Sequence, residues 1–319
     1  MFAVSIIALL VGRADQPLVL EASMPIAVEG RIDHLVLEPR TNELFVAALG
    51  HGSLEVLDVA RKQVVRSIKQ LLEPQGVALL PDLAQLAVAS GGDGSCRFYD
   101  LEHTRAAGMV DVGGDADNVR FDAKHKRLYV GYGDGALAVI DAAAQKKLNA
   151  IELGAHPESF QLEANGPRVF VNVPGRKQVA VVDRERGAVI ATWPLNGREA
   201  NYPMAFDESA GRLFVACRKP ARLLAFAVDS GKIVADVECS GDADDVFLDA
   251  ARKRVYVSCG EGFIDVFARS ANDALERTAQ VATASGARTC LYAADRSTLY
   301  LAVPHRQGQR AEIRAYAVR

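Results

Sequence analysis

The chain has 319 residues, is 50% hydrophobic and 24% charged, and carries a formal net charge of −3. That balance fits an ordinary globular protein and excludes a disordered or collagen-like one. With no bulk positive charge, the chain as a whole has no electrostatic pull toward nucleic acid or anionic lipid.

The chain opens on an apolar run, Phe2 to Val11, of ten residues. This is too short to span a bilayer. Gly12 and Ala14 follow as small residues two apart, the pattern of a leader cleavage site. Residues 1–14 are therefore expected to be a signal peptide and the protein periplasmic or secreted. The run has no Lys or Arg before it, which leaves a buried strand or a retained anchor as alternatives. Pro17 to Ile26 then reads as a lone strand.

From there one plan repeats. Leu44-Phe45-Val46-Ala47-Ala48 recurs as Leu86-Ala87-Val88-Ala89-Ser90, Leu128-Tyr129-Val130-Gly131-Tyr132 and Val169-Phe170-Val171-Asn172-Val173. It returns as Leu213-Phe214-Val215-Ala216-Cys217, Val255-Tyr256-Val257-Ser258-Cys259 and Leu299-Tyr300-Leu301-Ala302-Val303. The first residues stand at 44, 86, 128, 169, 213, 255 and 299, so the spacings are 42, 42, 41, 44, 42 and 44. A regular period of this length signals a repeat architecture. In the third copy, short strands at 118–121, 128–132, 136–141 and 148–153 are separated by polar turns, among them Gly133-Asp134-Gly135. Four short strands per repeat make a propeller blade. The third strands of the first four repeats end on Asp58, Asp100, Asp141 and Asp183, where a carboxylate can bind turn N–H groups.

The seventh repeat stops after its third strand, at 313–318. Pro17 to Ile26 has the length and alternation to supply the missing fourth strand and close the ring. The expected fold is all-β: one seven-bladed β-propeller over 17–319, a monomer with no integral membrane span.

The five cysteines, Cys96, Cys217, Cys239, Cys259 and Cys290, form no C-x-x-C pair, which removes support for a zinc ribbon or redox motif. They read as small buried strand residues, with a disulfide as the alternative. G-x-S-x-G, H-E-x-x-H and P-loop motifs are absent.

Blade geometry sorts the polar residues. Interblade loops and the turns between strands two and three share one face, which receives His34, His51, His156 and His305. His103 and His125 fall on the other. Aligned innermost strands place Asp33, Gln75, Asp117, Glu158, Tyr202, Asp244 and Arg288 in a ring at the channel mouth. His34, Asn118, Ser159 and Asp245 occupy the next position. Ligand-binding residues are accordingly expected at His34, His51, Asp117, Glu158, Tyr202, Asp244, Arg288 and His305.

Two chemistries suggest themselves. Asp33, His34, His51, His305 and Arg288, from blades one and seven, could form an acid–base cluster, with Asp33 and His34 as base and Arg288 as anion clamp. The near-copies at 114–118 and 241–245 could hold Ca²⁺ through Asp115, Asp117, Asp242 and Asp244. Against these stand solvated loop residues in the first case and Asp/Gly turns in the second. No other cofactor is expected.

The repeats resemble the YVTN-type β-propeller family, within the lactonase-like and quinoprotein-like seven-bladed group. The second-strand motif carries the resemblance, with Val169-Phe170-Val171-Asn172-Val173 among its nearest copies and Gly76-Val77-Ala78-Leu79-Leu80-Pro81-Asp82 in support. No copy reads Y-V-T-N in full. The resemblance implies an exported binding module for a protein or small-molecule partner. The alternative it implies is a lactonase-like hydrolase or lyase of a small cyclic substrate. A nucleic-acid or cell-envelope role is the third reading; the acidic ring argues against nucleic acid on that face.

Overall fold

A computed structural model describes residues 16–270 and 274–319. The signal peptide expected at 1–14 lies outside them. Among the described residues, twenty-eight strands, numbered β1 to β28 in chain order, form seven four-stranded antiparallel sheets in a ring. All seven motif copies fall on the second strand of a blade. These strands are Glu43–Ala48, Gln85–Ser90, Arg127–Tyr132, Arg168–Val173, Arg212–Lys219, Arg254–Cys259 and Thr298–Val303.

The motif recurs because a second strand is covered on both faces. Leu128 and Val130 pack with Leu80 and Phe98 of the preceding blade, while Tyr129 points the other way, among Phe160, Val169 and Val171 of the next. Alternation along the strand sends successive side chains into two interblade cores. A residue buried on either side must be apolar, and the first position of all seven copies has no exposed surface.

Turn chemistry follows the sequence. Asp58 Oδ1 accepts from the N–H groups of Ala60 and Arg61, and Asp183 Oδ1 from those of Glu185 and Arg186. Asp100 and Asp141 bind turn N–H groups in the same way. The outermost strands depart from the expected register. A bulge sits between the third and fourth strands of six blades, at Val56/Leu57, Phe98/Tyr99, Val139/Ile140, Val181/Val182, Ala225/Phe226 and Val266/Phe267. The extra residue raises local twist, which the outer edge of a blade needs. It also breaks the simple alternation from which those strands are read: the fourth strand of blade three spans Lys146–Glu152 rather than 148–153.

The ring closes as expected. β1 (Leu18–Pro25) pairs antiparallel with β28 (Glu312–Val318), from Leu18↔Val318 to Pro25↔Glu312. It is the fourth strand of the blade whose other members are β26 (Cys290–Ala293) and β27 (Thr298–Val303). All five cysteines are buried and free, and burial pushes the Cys96 thiol up to about 12, so these are inert packing groups. Among the described residues no helix is long and apolar enough to cross a membrane.

Candidate functional site at the channel mouth

The innermost strands begin at the propeller axis, and their first residues continue the pairing inward. Asp117 N–H bonds Gly131 O and Gly131 N–H bonds Asn118 O; Glu158 N–H bonds Asn172 O and Asn172 N–H bonds Ser159 O. In three other blades the register slips at the ring position. The shifts fall between Pro74 and Val77, Asn201 and Met204, and Ala243 and Asp245. Gln75, Tyr202 and Asp244 sit in these bulges, a device that re-aims a side chain at a strand end.

The result is a polar cavity of about 310 Å³ on the axis. Gln75, Asp117, Glu158, Tyr202, Asp244 and Arg288 of the expected ring line it, and Asp33 joins through its ion pair with Arg31, at 2.7 Å. Asp117 and Asp244, expected on nearly opposite sides of the ring, open into one cavity. Four further residues complete the lining: Arg31, Asp115, His156 and Arg218. Arg31, Asp115 and His156 each lie two residues before a ring position. An extended chain turns residues i and i+2 to the same side, so the ring has a second tier that this spacing encodes.

The two halves of the cavity differ in electrostatics. On one side Arg288 pairs with Asp242 at 2.9 Å and Asp244 at 2.8 Å, and Arg218 binds Asp242 at 3.2 Å as well as Asp244. The Arg218 guanidinium lies over the Tyr202 ring, 4.1 Å from its centroid. The Asp242 and Asp244 carboxylates expected to hold Ca²⁺ are thus engaged by arginines. On the other side Asp117 and Glu158 have no Lys or Arg within ion-pair distance among the described residues. Their neighbour is His156, whose Nδ1 lies 2.7 Å from Gly133 O and whose Nε2 lies 3.9 Å from Asp117 Oδ2. Burial, then the Asp117 charge, raises the Glu158 carboxyl, and Asp117 raises His156. Asp117, His156 and Glu158 present donor atoms all within 4.8 Å of one another, the one such group of metal-ligating type among the described residues.

The acid–base cluster expected from blades one and seven is not assembled. His34 is not among the residues lining the cavity; its Nε2 is 3.7 Å from Asp33 and its Nδ1 4.0 Å from Asp245, both beyond hydrogen-bond reach. His305 pairs with Glu29 at the rim and, with Arg31 and Arg288, lines a separate cavity of about 230 Å³. His51 is exposed on its turn. The three histidines thus meet different partners, which spacing along the chain does not encode. Deeper in the channel, a third cavity, of about 300 Å³, is lined by Arg120, Gln161, Asp245 and Phe247.

Asp245 gives this channel a pH signature. Burial pushes its carboxyl up to about 7 from an ordinary 3.8, against the opposing pull of His34. The folded chain therefore keeps a proton that the unfolded chain releases between about pH 4 and 7, and stability falls as pH rises through that window. Asp245→Asn keeps an acceptor for the Cys290 N–H, now bound at 2.7 Å, and removes the titration. Melting temperatures recorded from pH 4 to 8 should decline less steeply in the variant than in the parent; parallel curves would refute the assignment.

Fold and site together define a seven-bladed propeller with a polar site at one mouth of its channel. Solved structures share the fold. One is Kuenenia stuttgartiensis hydrazine synthase, with a TM-score of 0.79 and 16% identity over 92% of this chain and 99% of that chain. Another comes from a crystal structure of the mitotic checkpoint complex, with a TM-score of 0.82 and 13% identity over 99% of this chain and 97% of that chain. At such identities the likeness shows the fold alone. No protein-family model matches the chain, and no curated protein matches it.

Proposed function

We propose that the protein is an exported, monomeric propeller of the YVTN type that binds a small polar ligand at the channel mouth without transforming it. One observation carries this reading: ring side chains from six blades converge on a single polar cavity of about 310 Å³. Ligand pockets run from about 300 to 1,000 Å³ and are mostly apolar, so a cavity of this size and lining suits a small, highly hydrogen-bonding molecule. Arg31, nearly half exposed and paired with Asp33, has guanidinium N–H groups left for a ligand oxyanion. A protein partner on the same face is the related possibility, in keeping with the presence of a propeller of this fold in the mitotic checkpoint complex.

The enzyme reading keeps one supporting observation. The Glu158 carboxyl, its proton held by burial, faces the same cavity as His156, a pairing suited to acid–base work. A panel of small carboxylates, amino acids, sugar acids and lactones decides between them by thermal shift and by chromatography of the mixture. A ligand at 100 times its dissociation constant adds about 2.7 kcal/mol of stability, which is readily seen. The binding reading expects stabilisation by at least one compound, its loss in Arg31→Gln, and every compound recovered intact. Lactone turnover lost in Glu158→Gln would establish the hydrolase instead, and a silent panel would remove the small-ligand reading.

A further inference from the structure

We propose that Asp117, His156 and Glu158 form a binding site for one divalent transition-metal ion of the Zn²⁺, Mn²⁺ or Co²⁺ class. The inference rests on the reading of the channel mouth as a binding site and specifies one component of what it binds.

Three features point to a cation here. The first is the donor set. One imidazole and two carboxylates, with all ligand atoms within 4.8 Å of each other, mix nitrogen with oxygen. Ca²⁺ takes six to eight oxygens, whereas imidazole with carboxylates suits first-row transition ions.

The second is the orientation of His156. Its Nδ1 lies 2.7 Å from the Gly133 carbonyl, which has no proton to give, so Nδ1–H donates and the neutral ring, the form that binds a metal, has its lone pair on Nε2. A backbone carbonyl behind one ring nitrogen is the usual outer partner of a metal-binding histidine. The free Nε2 faces Asp117 Oδ2 at 3.9 Å, too long for a hydrogen bond. Ligand atoms bonded at about 2.0–2.2 Å to one ion stand about 3–3.6 Å from each other, so the His156–Asp117 pair closes by roughly half an ångström and no pair, all lying within 4.8 Å, by more than about 2 Å.

The third is charge. Asp117 is 8% exposed, and its carboxylate accepts no hydrogen bond from the described residues. Across the cavity Arg31, Arg218 and Arg288 pair with Asp33, Asp242 and Asp244, and none of them forms a direct ion pair with Asp117 or Glu158. A buried carboxylate that accepts no hydrogen bond and has only an imidazole at 3.9 Å beside it is costly, and a bound cation lowers that cost.

The test uses the full chain, stripped with EDTA and dialysed, then titrated with Co²⁺ and followed by its visible absorption. Saturation at about one equivalent, with displacement by Zn²⁺, is expected. His156→Ala and Glu158→Gln, each confirmed as folded by its circular dichroism and melt, should weaken Co²⁺ binding by roughly 100-fold or more. That is the upper end of what changes to outer partners alone cause. His103→Ala, on the opposite face, should bind as the parent does. Absence of saturable binding in the parent overturns the site without recourse to any variant, as does unchanged affinity in His156→Ala. Repeating the ligand panel on stripped and Co²⁺-loaded chain separates the two readings. Ligand binding to a chain that takes up no Co²⁺ sinks the metal site and leaves the binding module standing. Saturable, His156-dependent Co²⁺ uptake with a silent panel does the reverse.

Discussion

Deletion of residues 1–26 is expected to abolish the cooperative thermal melt and drive the chain into aggregates. β1 contributes Leu18 and Met24, each 1% exposed, to two interblade cores. Burial of each side chain stabilises by about 1.5–3 kcal/mol. Its removal also strips the pairing from Leu18↔Val318 to Pro25↔Glu312 and turns β28 into an open edge. Together these losses reach about 5 kcal/mol or more, comparable with the whole net stability of a typical protein. A permuted chain supplies the control. The Arg319 N–H already bonds Pro17 O at 3.0 Å, so a short loop joining the two ends makes β28 and β1 a hairpin. A chain beginning near Ala27 and ending with residues 16–26 after Arg319 should recover the parent's melt. A deletion variant that melts with the parent would mean that another contact closes the ring.

The second large effect is expected at Asn172, in the second strand of blade four. Asn172 is fully buried, and its Nδ2 donates to Tyr202 O at 2.9 Å and Pro203 O at 3.1 Å. Its Oδ1 accepts from Asn201 Nδ2 at 2.8 Å, and Asn201 also donates to Gln178 O. This amide pair fastens blade four to the bulge that carries Tyr202. In Asn172→Ala the Pro203 carbonyl and one amide N–H of Asn201 lose their partners inside the protein. Each unsatisfied buried group costs about 1–3 kcal/mol, so a loss of about 2–6 kcal/mol is expected from chemical denaturation. Asn201→Ala should cost a similar amount, and the double variant less than the sum, because both remove one network. Strict additivity would show that the two amides act independently. Since Tyr202 lines the cavity, any ligand found by the panel should bind Asn172→Ala more weakly than it binds a surface variant of equal stability.

The architecture was legible because its determinants are local and repeated. An apolar second strand between two cores leaves the same five-residue signature seven times, and an Asp at a strand end leaves another. The outer strands were less legible, since a bulge between Val139 and Ile140 and its counterparts interrupts the alternation. At the channel mouth, aligned strand starts placed Gln75, Asp117, Glu158, Tyr202, Asp244 and Arg288 around the axis, and these line one cavity. Arg31 and His156 were open to the same reasoning through their offset of two residues. Arg218 was not: it stands at the far end of a second strand, and only the packing of blades five and six brings it over Tyr202.

What the sequence determined by itself is the number of blades, the face of each loop and the strand that closes the ring, because each depends on period and alternation along the chain. What only the tertiary structure decided is which of the polar residues on that face meet. Asp242 and Asp244 bind arginines while Asp117 and Glu158 gather with His156, and His34, His51 and His305 go separate ways. Those outcomes depend on bulges of one or two residues at the strand starts and on how neighbouring blades pack. They are differences of a few ångströms between residues tens or hundreds of positions apart, and no pattern local to the chain encodes them.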